Sequence, residues 1–144
     1  MAAVVIPYRI LGKGAPMPLL TIHVTIDGQD VPFPGLVDSG SDRSAVPEIL
    51  AATLGLQWDP NDPKQGLSSG GAYGYFRAAN SIFVRTEVGI FRMDRPNVNA
   101  KLDKFGILIL GRTDFFASFR IVFDHKGLTM SFERYADEIA VRKN

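Results

Sequence analysis

Leu20, Ile22, Val24 and Ile26 are apolar at every second position, a period that turns one side of a strand toward a core. Asp27-Gly28 follows as a hairpin turn, and Val31 to Val37 returns as the partner strand. Pro32 and Pro34 have no backbone N–H, so the early part of the returning strand belongs at an edge or a bend. Beyond Asp42, the run Pro47 to Gly55 predicts a short helix, with Ser44 or Ala45 near its start, proline in its first turn and Gly55 ending it. The strand pattern resumes from Tyr75 to Val88 through Phe76, Ala78, Ile82 and Val84. The glycine-rich stretch Leu67 to Gly74 therefore reads as the tip of a projecting hairpin rather than a linker. Glu87-Val88-Gly89 turns the chain into a strand from Ile90 to Met93, and Pro96 to Lys104 reads as a polar connection. A second short helix is expected from about Thr113 to Ser118, with Asp114 in its first turn, where the helix dipole favours negative charge. Phe119 to Phe123 and Leu128 to Phe132 pair as a hairpin across Asp124-His125-Lys126-Gly127.

Many short strands with two short helices predict an all-β domain closed into a barrel-like shape. The 144 residues suit one domain, 1–144, and a 46% hydrophobic content is enough to fill its core. Sixteen basic residues against fifteen acidic ones leave no imbalance that would draw the chain to nucleic acid or an anionic membrane. Arg77, Arg85, Arg92 and Arg95 alternate with apolar residues and read as a solvated sheet face. Without cysteine there is neither a disulfide nor a thiol nucleophile, and a reducing cytoplasm is compatible. Met1 to Pro7 has no basic leader, its apolar run is too short for a signal peptide, and no stretch approaches the roughly 20 apolar residues that span a bilayer. A cytoplasmic location is the expectation. His23 and His125 have no ligand-spaced partners, so neither a metal nor another cofactor is expected, and His125 reads as a turn residue. Trp58 is expected to pack beside the first helix, and Gly12-Lys13-Gly14 to form a bend rather than a phosphate loop.

The chemistry concentrates at Leu36-Val37-Asp38-Ser39-Gly40-Ser41-Asp42, which sets a carboxylate on a tight turn directly after an apolar strand. Taken alone, Asp-Ser-Gly is also what an ordinary surface turn looks like. A second motif follows, the apolar run Ile107-Leu108-Ile109-Leu110 ending in Gly111-Arg112. The two, in this order and with the glycine-rich segment between them, resemble the active-site loop and second motif of the retropepsin-like aspartic proteases, including their single-domain bacterial relatives. The resemblance covers roughly residues 19–133. Ser41 stands where that family usually has alanine, and both ends depart from its pattern, with about twenty leading residues and a charged tail from Glu133 to Asn144.

The resemblance implies peptide hydrolysis by water held between two carboxylates. No other Asp in the chain is followed by Ser or Thr and then Gly, so one chain supplies half of such a site and the enzyme would be a homodimer acting on a peptide or protein substrate. Asp38 would be the catalytic acid, Ser39 would brace the loop against the partner chain, and Gly40 would let substrate approach without a Cβ clash. Asp42 would pair with Arg112, tying the loop to the helix behind it beside Gly111, and could also accept a bond from substrate backbone. Leu67 to Gly74 would be the flap, with Ser69, Gly70 and Gly71 over the substrate, while Leu36, Ala45 and Ile109 would line an apolar pocket. A catalytically silent dimerisation or peptide-binding module of the same fold is the rival reading. A processing domain that acts only on its own precursor is a third.

Overall fold

A computed structural model describes residues 3–135 of this chain. The elements run β1 (Val4–Pro7), β2 (Arg9–Ile10), β3 (Pro16–Met17), β4 (Leu19–Ile26), β5 (Gln29–Val37), β6 (Ala45–Pro47) and α1 (Glu48–Ala51). They continue with β7 (Lys64–Ser68), β8 (Gly71–Arg77), β9 (Ile82–Thr86), β10 (Gly89–Met93), β11 (Asn97–Asn99), β12 (Leu108–Leu110), α2 (Phe115–Ser118), β13 (Phe119–Asp124) and β14 (Thr129–Arg134). The protein is thus all-β, as its patterning predicts. A nine-stranded sheet has the order β10-β9-β4-β5-β12-β6-β11-β8-β7, and a three-stranded sheet the order β1-β14-β13. No helix among the described residues is long and apolar enough to cross a membrane.

The period-two reading of β4 holds: Leu20, Ile22 and Val24 are buried. Asp27 and Gly28 both take positive φ, 51° and 76°, the turn geometry that matches the twist of a two-residue hairpin. Among the described residues only Gly35 to Val37 of β5 meets a second strand, so Pro32 and Pro34 lie where β4 is the sole neighbour. The two sheets are joined through Phe115 on α2, which is fully buried, with ring centroids 5.1 Å from both Phe91 on β10 and Phe119 on β13. Phe132 on β14 completes this cluster at 6.1 Å.

Several boundaries differ from expectation. α1 is a single turn; the chain then bends through Gly55 at φ 83°, and Pro47 precedes the helix while Ser44 and Ala45 lie before it, Ala45 in buried β6. The pattern from Tyr75 to Val88 divides into β8 and β9. The supposed polar connection contains β11, because Val98 is fully buried between two asparagines and one apolar residue makes no visible period. Trp58 bridges to Ala78 at the base of β8. Val4 to Pro7, within the leading segment, pairs with β14 of the same chain. Of the charged tail, Glu133 and Arg134 finish β14 and Tyr135 follows; 136–144 lie outside the described residues, as do 1–2.

Candidate active site

β12 lies between β5 and β6, parallel to the first and antiparallel to the second. The segment that links β5 to β6, Asp38 to Ser44, must therefore pass across the end of β12, which brings the two sequence motifs together. Asp38 N donates to Leu110 O at 3.0 Å, Arg112 N to Ser41 O at 2.9 Å and Thr113 N to Asp42 O at 2.9 Å. Gly111 sits at the closest approach. A Cβ there would fall 2.4 Å from the carbonyl carbon of Arg43, so no other residue fits without parting the backbones.

Asp38 is half-buried at the start of this loop, and its Oδ1 accepts the Gly40 amide at 2.9 Å. Among the described residues its Oδ2 has no partner, which leaves that oxygen available. Ser39 and Gly40 are exposed beside it.

Behind the loop lies a buried contact that sequence reading missed. Ser44 Oγ donates to Asp114 Oδ1 at 2.5 Å and accepts the Gly111 amide at 3.0 Å. Asp114 also accepts the amides of Phe115 and Asp94, at 2.7 and 3.0 Å, and so caps α2 rather than sitting within its first turn. Burial raises the Asp114 carboxyl above its ordinary value, outweighing the donors that favour its charged form. An Asp just ahead of an apolar helix was a visible N-cap signal; its link to Ser44 was not.

The expected Asp42–Arg112 ion pair is present, but both side chains are more than half exposed. Its expected task, holding the loop to the helix behind, is shared with the motif-to-motif backbone bonds and with the Ser44–Asp114 contact, which water screens less. The reason is direction: Asp42 and Arg112 point toward solvent and the cleft, whereas Ser44 and Asp114 point inward.

A cleft of about 800 Å³ opens in front of the loop. Asp38, Gly40, Asp42, Ala45, Ser69 and Ile109 line it, and so does Arg112, which the sequence reading assigns to support of the loop. Leu36 and Ser39 do not; with Phe123 and His125 they line a smaller hollow of about 240 Å³ that also touches Asp38. His125 is a turn residue, bonded to the Tyr8 hydroxyl at 3.1 Å. Gly70 and Gly71 lie at the hairpin tip, beyond the cleft lining, and Gly111 is buried beneath the loop.

The expected apolar character of the cleft is corrected by Arg43, Arg77, Asn97, Asn99 and Lys101. Two of these come from β11, which the pattern did not reveal. Arg77 was grouped with solvated arginines, a description that fits Arg85 and Arg92, which form exposed pairs with Asp30 and Asp94. On β8, however, Tyr73, Tyr75 and Arg77 alternate onto the side that faces the cleft.

The opposite wall is the β7–β8 hairpin, with Ser68 opposite Gly71 and Ser69-Gly70 as its two-residue turn. Gly71 takes φ 106°, a conformation a side chain would strain. Gly66 leaves room for the Tyr73 ring, which would lie 2.7 Å from a Cβ there. β8 meets β11 only at Phe76 and Arg77, so the outer hairpin projects from the sheet over the cleft. No cluster of three or more His, Cys, Asp or Glu among the described residues is placed to hold a metal.

An all-β domain that lifts one carboxylate on a loop locked across a central strand, at the edge of an open cleft, has the form of an acid-protease domain. The family model for aspartyl proteases matches residues 22–113, well over half the chain, and spans the Asp38 loop, the hairpin and the Gly111 motif. The chain belongs to that family, the retropepsin-like aspartyl proteases. A comparison with curated proteins found no match.

Proposed function

We propose that this protein is an aspartic endopeptidase that works as a two-fold homodimer, with Asp38 of each subunit facing one catalytic water. The observation that carries the reading is the Asp38 carboxylate, held by Gly40 on a loop locked to β12, with one oxygen that has no partner among the described residues, beside the cleft. The chain has a single Asp-Ser-Gly, so the second carboxylate comes from a second copy. Two adjacent carboxylates share one proton, because ionising both would set like charges side by side. The ionised member takes a proton from water as its oxygen attacks the peptide carbonyl carbon, while the protonated member donates to the carbonyl oxygen. The proton taken from water then passes to the amide nitrogen and the C–N bond breaks, while the other carboxylate takes back a proton from a hydroxyl of the tetrahedral gem-diol; the products are a carboxylic acid and an amine, and the pair again holds one proton.

Two further observations support the arrangement. β13 pairs with β14 alone, so among the described residues its other edge is open to strand pairing. Phe123 and His125, at the end of that strand, adjoin Asp38 and Ser39 in the smaller hollow, which places the open edge near the carboxylate that needs a partner. Ser39 would then brace the two loops across the axis, and the projecting hairpin would close over an extended substrate as a flap.

The test is digestion of a diverse peptide library between about pH 4 and 7, where a carboxylate pair holds its shared proton, with Asp38→Asn as control. Cleavage by the wild type and none by a folded Asp38→Asn is the expected result. Peptide binding without cleavage by the wild type would replace the enzyme with a peptide-binding module.

A further inference from the structure

We infer that Arg77 is a specificity-determining residue that selects substrates carrying an acidic side chain at a fixed distance from the cut bond; this rests on the peptidase reading above. The cleft carries four cationic side chains, Arg43, Arg77, Lys101 and Arg112, against the two carboxylates Asp38 and Asp42. Arg112 is already paired with Asp42, whereas among the described residues no carboxylate forms an ion pair with Arg77, Arg43 or Lys101. The surplus is positive and faces the space a substrate would fill.

Arg77 is the best prepared of the three. Its Nε donates to Asn97 Oδ1 at 3.0 Å, and its guanidinium lies 5.8 Å from the centre of the Tyr75 ring, so the group is held at two points. That leaves the two terminal nitrogens, the part of the fork that meets a carboxylate with two parallel bonds. Arg77 is also half-buried, where a charge-assisted bond is screened less than at an open surface. Its backbone sits where β8 joins β11 at the base of the projecting hairpin, so hairpin motion would displace it little. Lys101 is exposed, and among the described residues its ammonium is not held at comparable points. A two-fold dimer supplies a second Arg77, so the preference is expected at one position on each side of the cut bond.

The experiment uses matched pools of acetylated, amidated peptides that differ only in Glu against Gln, so that a side chain is the sole source of carboxylate. Cleavage is followed for the wild type and for Arg77→Gln, Arg77→Lys and Arg77→Glu, each checked for folding by thermal melt. Retention of the same pools is measured on immobilised Asp38→Asn with and without Arg77→Gln. The wild type should favour Glu peptides in kcat/KM by at least about tenfold, the scale of one charge-assisted bond. The ratio should fall toward parity in Arg77→Gln, survive in part in Arg77→Lys, and turn toward Lys-containing peptides in Arg77→Glu. Parity in the wild type, or a Glu preference that Arg77→Gln leaves intact, overturns the inference while the peptidase reading stands. Glu-selective retention that depends on Arg77, without cleavage by the wild type, sinks the peptidase reading and keeps the acidic-ligand site. Neither cleavage nor retention overturns both.

Discussion

Ser44 and Arg112 each bond to an aspartate, yet burial makes the two contacts unequal. The Ser44 hydroxyl is inaccessible to solvent and binds the carboxylate of a buried residue, Asp114. Removing it with Ser44→Ala strips a buried acceptor of a partner and leaves the Gly111 amide unpaired, at a cost of about 1.5–3 kcal/mol. The exposed Asp42–Arg112 pair is screened by water, so Arg112→Ala should cost a single chain only about 0–1 kcal/mol. Urea titration of both variants checks the order, and an equal loss would deny the buried contact its role. Asp114 adds a dependence on pH. Its folded carboxyl titrates above the ordinary 3.8, so the proton is held more tightly in the folded state. That contribution to stability is complete below 3.8 and is lost as pH rises through the raised folded value. The melting temperature of the wild type relative to Asp114→Asn, which cannot titrate there, should fall as pH climbs out of that range. A relative melting temperature that rises instead would contradict it.

At the scale of elements, α2 is only one turn long and has little helical stability of its own. It persists because Asp114 caps it and Phe115 is packed among Phe91, Phe119 and Phe132, from both sheets. Phe115→Ala would open a cavity at the junction of the two sheets, with an expected loss of about 3–5 kcal/mol. The same truncation at exposed Phe83, on the solvent side of β9, should cost far less. Thermal or urea unfolding of the pair provides the comparison, and similar losses would mean that α2 does not couple the sheets. The hairpin follows the opposite logic. Among the described residues β7 and the outer part of β8 pair only with each other, and Leu67 near the tip is 85% exposed, so little packing opposes movement of this wall.

For the whole molecule, the proposed shared site makes a quantitative prediction about assembly. If each active unit needs Asp38 from two copies, equal amounts of wild type and Asp38→Asn, allowed to exchange, leave about one quarter of the pairs fully wild type. Peptidase activity should then approach about a quarter of that from the same total protein as wild type, whereas self-sufficient chains would retain about half. Sedimentation of the mixture reports whether dimers are present at the assay concentration. A value near half would end the shared-site mechanism.

The all-β class, the first hairpin and the two motifs were legible from the chain because they rest on local physics. Alternation fixes the buried side of β4, Asp27-Gly28 suits only a tight turn, and Asp38-Ser39-Gly40 announces a carboxylate on a loop. What no local pattern carried was direction in space. Insertion of β12 between β5 and β6 brings Gly111 against Arg43 and Ser44 against Asp114, contacts between residues far apart in the chain. The same long-range pairing sets β11 beside β8, turns Arg77 from a presumed surface charge into a cleft residue, and moves Leu36 out of the cleft lining. Sequence determined which residues could do chemistry, since residue type and local backbone preference suffice for that. Tertiary structure alone decided which of them share a space, because that depends on strand order and on which side of each strand the cleft lies.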